Sequence, residues 1–211
     1  MKAMEVMIFS WEYPPRIVGQ LADHVKELAT HMAENGVGVY VITYDDHLTG
    51  LSGDEGGIKL FRVTNPVRTH IGVLTWVLTL NQEIERAAAK IYYDVSKHVD
   101  LVDVHDWHFI PSAVTLNRAL KIPFVYSVDS LEEHRAHGAN APFNMAIKSI
   151  EWLGAYESRR LVVKSEWMRD EVTRLYKIPA EKVTVIPRGS GTWIKDTLET
   201  YASIAGGHIG R

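Results

Sequence analysis

Short apolar runs alternate with longer stretches of helical periodicity along nearly the whole chain. Val6–Ser10 reads as a buried strand, and Leu21, Val25, Leu28, Ala29 and Met32 then recur at helical spacing until Asn35-Gly36 supplies a stop. Val37–Thr43 is a second strand and completes a βαβ unit. Glycines and acids crowd Asp45–Gly57, which reads as a surface loop before an edge-type strand at Ile58–Val63. A long helical pattern covers Val73–Val95, with Gln82, Glu83, Glu85 and Arg86 on its polar faces. Leu101–His105 predicts a strand, His108–Leu120 a helix and Pro123–Val128 another strand. Asp129–Ala141 reads as a loop, and Pro142–Tyr156 as a helix with its proline in the first turn. The rhythm repeats through Leu161–Lys164, Glu166–Tyr176 and Val183–Ile186. Thr192–Ile204 is helical in pattern, and the tail Gly206–Arg211 reads as frayed.

This alternation predicts an α/β fold: a three-layer, Rossmann-like, mostly parallel sheet with helices on both faces and right-handed crossovers. A length of 211 residues suits one well-filled core. The formal charge of −3, without a basic run, argues against nucleic acid or anionic membrane as partner. With no cysteine there is no disulfide, thiolate chemistry or cysteine-ligated metal, which fits a cytoplasmic protein. The opening MKAMEVMIFSWE holds too short an apolar run for a signal peptide or membrane span.

Candidate chemistry gathers where strands end. The loop Trp11–Gln20 joins the first strand to the first helix, where unpaired amides suit an anion or a sugar hydroxyl. Gly19 is followed by Gln20, so neither a G-x-G-x-x-G nor a P-loop pattern is present. Gly19 either admits a phosphate to the helix end or only makes the turn tight. His105-Asp106-Trp107-His108 follows another strand, with Asp106 placed to cap the next helix. A metal lacks further ligands there, which leaves hydrogen bonding to a polar substrate or plain capping with core histidines. Asp129 opens the loop after Val128, where it either serves a substrate as acceptor or base or is an ordinary loop acid. Glu12 and Asp129 could form a glycosidase-like pair, though the sheet pattern gives that no support. Glu151, Glu157, Arg159 and Arg160 read as a solvated helix face and its end, and no serine sits in a G-x-S-x-G elbow.

Four segments together carry a family resemblance: Ser10-Trp11-Glu12-Tyr13-Pro14-Pro15, Gly19–Val25, Val104-His105-Asp106-Trp107-His108 and Ser165-Glu166-Trp167-Met168. With the run Glu181–Pro187 and Gly189, they resemble the amino-terminal domain of archaeal and bacterial glycogen or starch synthase-like glycosyltransferases, over about residues 4–189. The resemblance implies one half of a GT-B fold, two Rossmann-like domains facing across a cleft. Such enzymes move glucose, with retention and without a metal or other cofactor, from a nucleotide sugar to an α-glucan. By this likeness Trp11, Glu12 and Tyr13 lie on the cleft rim, Gly19 and Gln20 face the donor phosphates, and His105, Asp106 and Trp107 lie near acceptor or sugar.

Departures from the family pattern matter as much. After Gly189 the family pattern continues into a donor-binding domain, which this sequence is expected to lack. Ser190-Gly191 reads as a splice into Thr192–Ile204, which resembles the family's final helix and is expected to pack back on the first domain. Gly19-Gln20 stands where paired glycines are common, Asp129 where a sugar-contacting histidine is usual, and Arg188 where asparagine is frequent. A carboxylate at 129 opposes departure of a phosphate. The expectation is an acceptor-side domain, inactive alone, that holds α-glucan or maltooligosaccharide weakly and has little hold on UDP- or ADP-glucose. An oligosaccharide-binding module and a structural homodimer are the alternatives.

Overall fold

The computed structural model describes residues 4–45, 53–95 and 98–205. Eight strands form one sheet: β1 (Glu5–Ser10), β2 (Gly38–Tyr44), β3 (Gly53–Glu55), β4 (Ile58–Val63), β5 (Leu101–His105), β6 (Phe124–Val128), β7 (Arg160–Val163) and β8 (Val183–Val185). Among the described residues seven α-helices accompany them: α1 (Leu21–Glu34), α2 (Val73–Asp94), α3 (Ile110–Leu120), α4 (Glu132–Arg135), α5 (Pro142–Glu157), α6 (Glu166–Tyr176) and α7 (Trp193–Ala205). The sheet order is β3-β4-β2-β1-β5-β6-β7-β8, parallel except for the β3–β4 pair.

Central position explains the apolar run of β1. It pairs with β2 on one side (Ile8 opposite Val41) and β5 on the other (Ile8 opposite Asp103). Its side chains alternate between two cores. Val6 and Ile8 pack with Leu21, Val25 and Met32 of α1 and with Trp193 and Tyr201 of α7. Met7 and Phe9 join the core under α2, α3, α5 and α6. The predicted three-layer, mostly parallel architecture is therefore what forms. The chain builds outward from β1 in one direction through β2 and β4, then in the other through β5 to β8. That reversal leaves a crevice between the carboxyl ends of β1 and β5.

Differences from the periodicity are local. The glycine-rich loop contains β3, which is short, polar and exposed; the rest of that loop and the tail 206–211 lie outside the described residues. The loop after β6 holds α4, a single helical turn. Helix α3 starts at Ile110 rather than His108, and Asp106 does not cap it. Both α3 and α6 end at the tripeptide Lys-Ile-Pro, with Lys121 and Lys177 left-handed at φ 62° and 56° and a proline barring further helix.

Candidate functional site

The loop after β1 is organised by its own acid. Ser10 Oγ donates to the Glu12 carbonyl at 2.6 Å, turning the chain so that the Glu12 carboxylate points inward. Glu12 Oε2 then accepts from the amides of Val18 and Gly19 at 2.5 and 2.7 Å, so these donors are already engaged by the protein. Gly19 and Gln20 themselves are exposed at the start of α1. Tyr13 is fully buried beneath the loop, and burial pushes its phenol up to about 12.

Across the crevice the β5 end supplies a stack. Trp11 lies parallel to His108, with centroids 4.5 Å apart and planes at 1°, and His108 stacks on Trp107 at 4.4 Å. The Arg16 guanidinium covers the Trp11 ring at 4.4 Å, while Trp76 meets it edge-on. Trp107 is buried against Val77 and Ile147, whereas Trp11 is half-buried. Asn81 of α2 ties this segment down by donating to the His108 carbonyl at 2.9 Å. Burial, then Arg135 and Arg16, lower the His108 pKa to about 3.

That depression gives a pH dependence. The unfolded chain protonates His108 near 6.5 and the folded chain only near 3, so the unfolded state holds the extra proton between those values. Stability from this group is full above about pH 6.5 and is lost as pH falls below it, on the order of 1–2 kcal/mol by pH 5. Urea titrations at pH 7 and pH 5 should show this loss. His108→Phe, which keeps a stacking ring, should reduce it by about that amount; an unchanged slope would refute the assignment.

Behind the stack, Asp103 and His105 share one face of β5. Asp103 is completely buried, accepts from Ser127 Oγ at 2.7 Å and from the Tyr201 hydroxyl of α7, and lies 2.9 Å from His105 Nε2. Burial pushes the Asp103 carboxyl up, but His105 and the hydrogen bonds outweigh it and hold the group below its ordinary value. His105 faces His24 of α1 at 5.8 Å, and His24 faces Trp193 at 5.4 Å. Together with Lys164, Arg188, Thr197 and Tyr201 they line a narrow cavity of about 30 Å³ at the ends of β5 to β8.

Asp106 takes a left-handed backbone (φ 58°) and reaches sideways to β6, where its Oδ1 accepts from the amides of Asp129 and Ser130 at 3.0 and 3.1 Å. Burial and the neighbouring Asp129 raise its pKa. Asp129 carries its carboxylate 2.6 Å from Arg188 and 3.7 Å from Lys164. The strand ends thus bring Trp11, Glu12, His105, Asp106, Trp107 and Asp129 to one rim, with Glu12, Tyr13, His105, Asp106 and Trp107 buried. Among the described residues no group of three or more His, Cys, Asp or Glu is placed to hold a metal. No helix among them is long and apolar enough to cross a membrane.

Glu151 corrects the reading of a solvated helix face. It is fully buried, and its carboxylate accepts from the Glu132 amide (2.8 Å), Arg135 (2.7 Å) and the Tyr176 hydroxyl (2.8 Å). This network seats α4 between α5 and α6.

Residues 21–190 match the family described as Glycosyltransferase Family 4. The chain belongs to that family. An uncharacterized glycosyltransferase of Methanocaldococcus jannaschii is 34% identical over 192 residues, covering 90% of this chain and 47% of that protein. A glycogen synthase of Mycobacterium tuberculosis is 30% identical over 200 residues, covering 88% and 48% respectively. The chain therefore spans about half the length of these curated relatives. In three dimensions it is similar to sucrose-phosphate synthase of Thermosynechococcus elongatus, with a TM-score of 0.72, 14% identity, and coverage of 89% of this chain and 48% of that one. A two-segment piece of the same synthase, 27–220 with 406–426, matches at a TM-score of 0.70 over 96% of this chain and 98% of the piece. The Family 4 match takes in His105, Asp106, Trp107, Asp129 and Arg188, starts one residue after Gln20 and stops just before Gly191.

Proposed function

We propose that this chain is the acceptor-side domain of a glycogen synthase-like glucosyltransferase, closed by the helix that follows a splice at Ser190-Gly191. The observation that carries the reading is the switch-point crevice with half-buried Trp11 on its rim, in a sequence 30% identical to a glycogen synthase over most of its length. Trp11 is held rigid by Arg16 and His108, and the part of the indole that stays exposed suits contact with a sugar of an α-glucan. Glu12, Tyr13, His105, Asp106 and Trp107 shape the rim from beneath. Gly19 and Gln20 face the donor side of the cleft, and Asp129 occupies the position of the family histidine without its role.

Glucosyl transfer needs groups held on both sides of the reacting bond and a cleft that excludes water. One wall binds glucan weakly and does not turn over UDP- or ADP-glucose by itself. Three observations support the splice. The family match stops at residue 190, and α7 packs Trp193, Tyr201 and Ile204 into the α1 side of the core. The two-segment synthase piece has the same kind of composition, a long segment joined to a short later one.

The test is titration of isotope-labelled protein with maltoheptaose, alongside an assay for glucose release or transfer from both donors. Millimolar binding that moves the Trp11 indole signal and disappears in Trp11→Ala is expected, with no turnover. Absence of any shift at millimolar sugar would overturn the binding assignment, and enzyme-like turnover would overturn the inactive one.

A further inference from the structure

The strand ends carry more cationic character than the net charge of the chain suggests. Arg188, after β8, and Lys164, after β7, both line the narrow cavity beneath α1 and α7. They converge on one carboxylate, Asp129, which lies 2.6 Å from Arg188 and 3.7 Å from Lys164. The distances describe a close ion pair at Arg188 and a looser one at Lys164. The two residues that depart from the family pattern at these strand ends, Asp129 and Arg188, are therefore partners of each other.

We infer that Asp129 is an internal substitute for an anionic ligand: its carboxylate occupies the cationic site formed by Arg188 and Lys164, and so makes this crevice select neutral sugars over phosphorylated ones. The selectivity rests on the proposed glucan reading of the crevice; the masked cationic site does not.

Other groups at the rim point the same way. The Val18 and Gly19 amides, which suit a phosphate, are held by Glu12. The Asp129 and Ser130 amides are held by Asp106, which also fixes the backbone that aims Asp129. Asp103, the other carboxylate near this cavity, is committed to Ser127, Tyr201 and His105. Burial, then His105, Arg188 and Lys164, disfavour protonation of His24 in the same cavity, with Asp103 opposing them. A phosphate entering the natural protein must compete with Asp129 for both cations while meeting Asp106 behind it, and like charges at that range repel. A sugar hydroxyl meets no such penalty.

Calorimetric titration of the full chain with inorganic pyrophosphate tests the site. Asp129→Ala should bind it at least about tenfold more tightly than the natural protein, and added salt should weaken the binding. Adding Arg188→Ala should remove the gain. A folded Asp129→Ala protein without a gain would overturn the inference, as would a gain that survives Arg188→Ala, or natural protein that binds equally well. If Asp129→Ala does not fold, Asp129→Asn keeps the side-chain shape, and a gain of about tenfold is required of it instead. Maltoheptaose run in parallel separates the two ideas: its failure to bind removes the sugar reading and leaves the pyrophosphate result to decide the masked site.

Discussion

Tyr201→Ala should cost about 3–5 kcal/mol of folding stability, the range for deleting a fully buried aromatic ring. Tyr201 is 1% exposed and packs in the core shared by β1, α1 and α7. Its hydroxyl also donates to Asp103, so truncation both opens a cavity and removes a partner from a buried carboxylate. Tyr201→Phe separates the two effects. It keeps the ring and leaves Asp103 with Ser127 and His105, so a loss of about 1–2 kcal/mol is expected. Urea denaturation followed by both near- and far-ultraviolet circular dichroism measures each value. A loss below about 1 kcal/mol for the alanine variant would mean that α7 does not cover the sheet.

Glu151→Ala should destabilise by about 3 kcal/mol, at the low end for breaking a buried ion pair because Arg135 keeps some contact with water. The Arg135 side chain is 32% exposed, while that of Glu151 is 1%. Removing the carboxylate strands the Tyr176 hydroxyl and the Glu132 amide in a site without water access. Glu151→Gln retains the shape and one acceptor oxygen, and about half that loss is expected. Denaturant midpoints decide it: equal losses for both variants would show that shape rather than charge holds α4 in place.

Glu151 also shows what kind of information the sequence carried. Its neighbours on the buried stripe of α5 are Ile147, Gly154 and Ala155, at offsets of four, three and four residues. Position therefore placed Glu151 on the inner face, and its charge was the misleading signal. Asn81 is parallel: it lies among Val77, Ile84 and Ala88 on α2 and serves as a buried polar tie. Periodicity was a better guide than residue type in both cases. The same periodicity located β1, α1, β2 and β5 because their apolar runs have no alternative use. It passed over β3, which is too short and polar for a periodic signal.

The site was legible by position and not by partnership. Strand-end residues were identifiable because α/β connections place polar side chains there. What each carboxylate holds was not, since Glu12 reaches back to its own loop, Asp106 reaches across to β6, and Asp129 meets a cation 59 residues later. Those choices follow from the spacing of neighbouring strands, which no local pattern encodes.

The link from Tyr201 to Asp103 spans 98 residues and joins α7 to a strand near the middle of the sheet. During synthesis Asp103 is made long before its partner leaves the ribosome. Until then the part of that face that α1 does not cover lies open at β5, with the Asp103 carboxylate uncovered beside apolar side chains. Such a surface is the kind on which incomplete chains associate. The order of events on the ribosome is thus built into the topology: the sheet can form early, but α7 is needed to seal it.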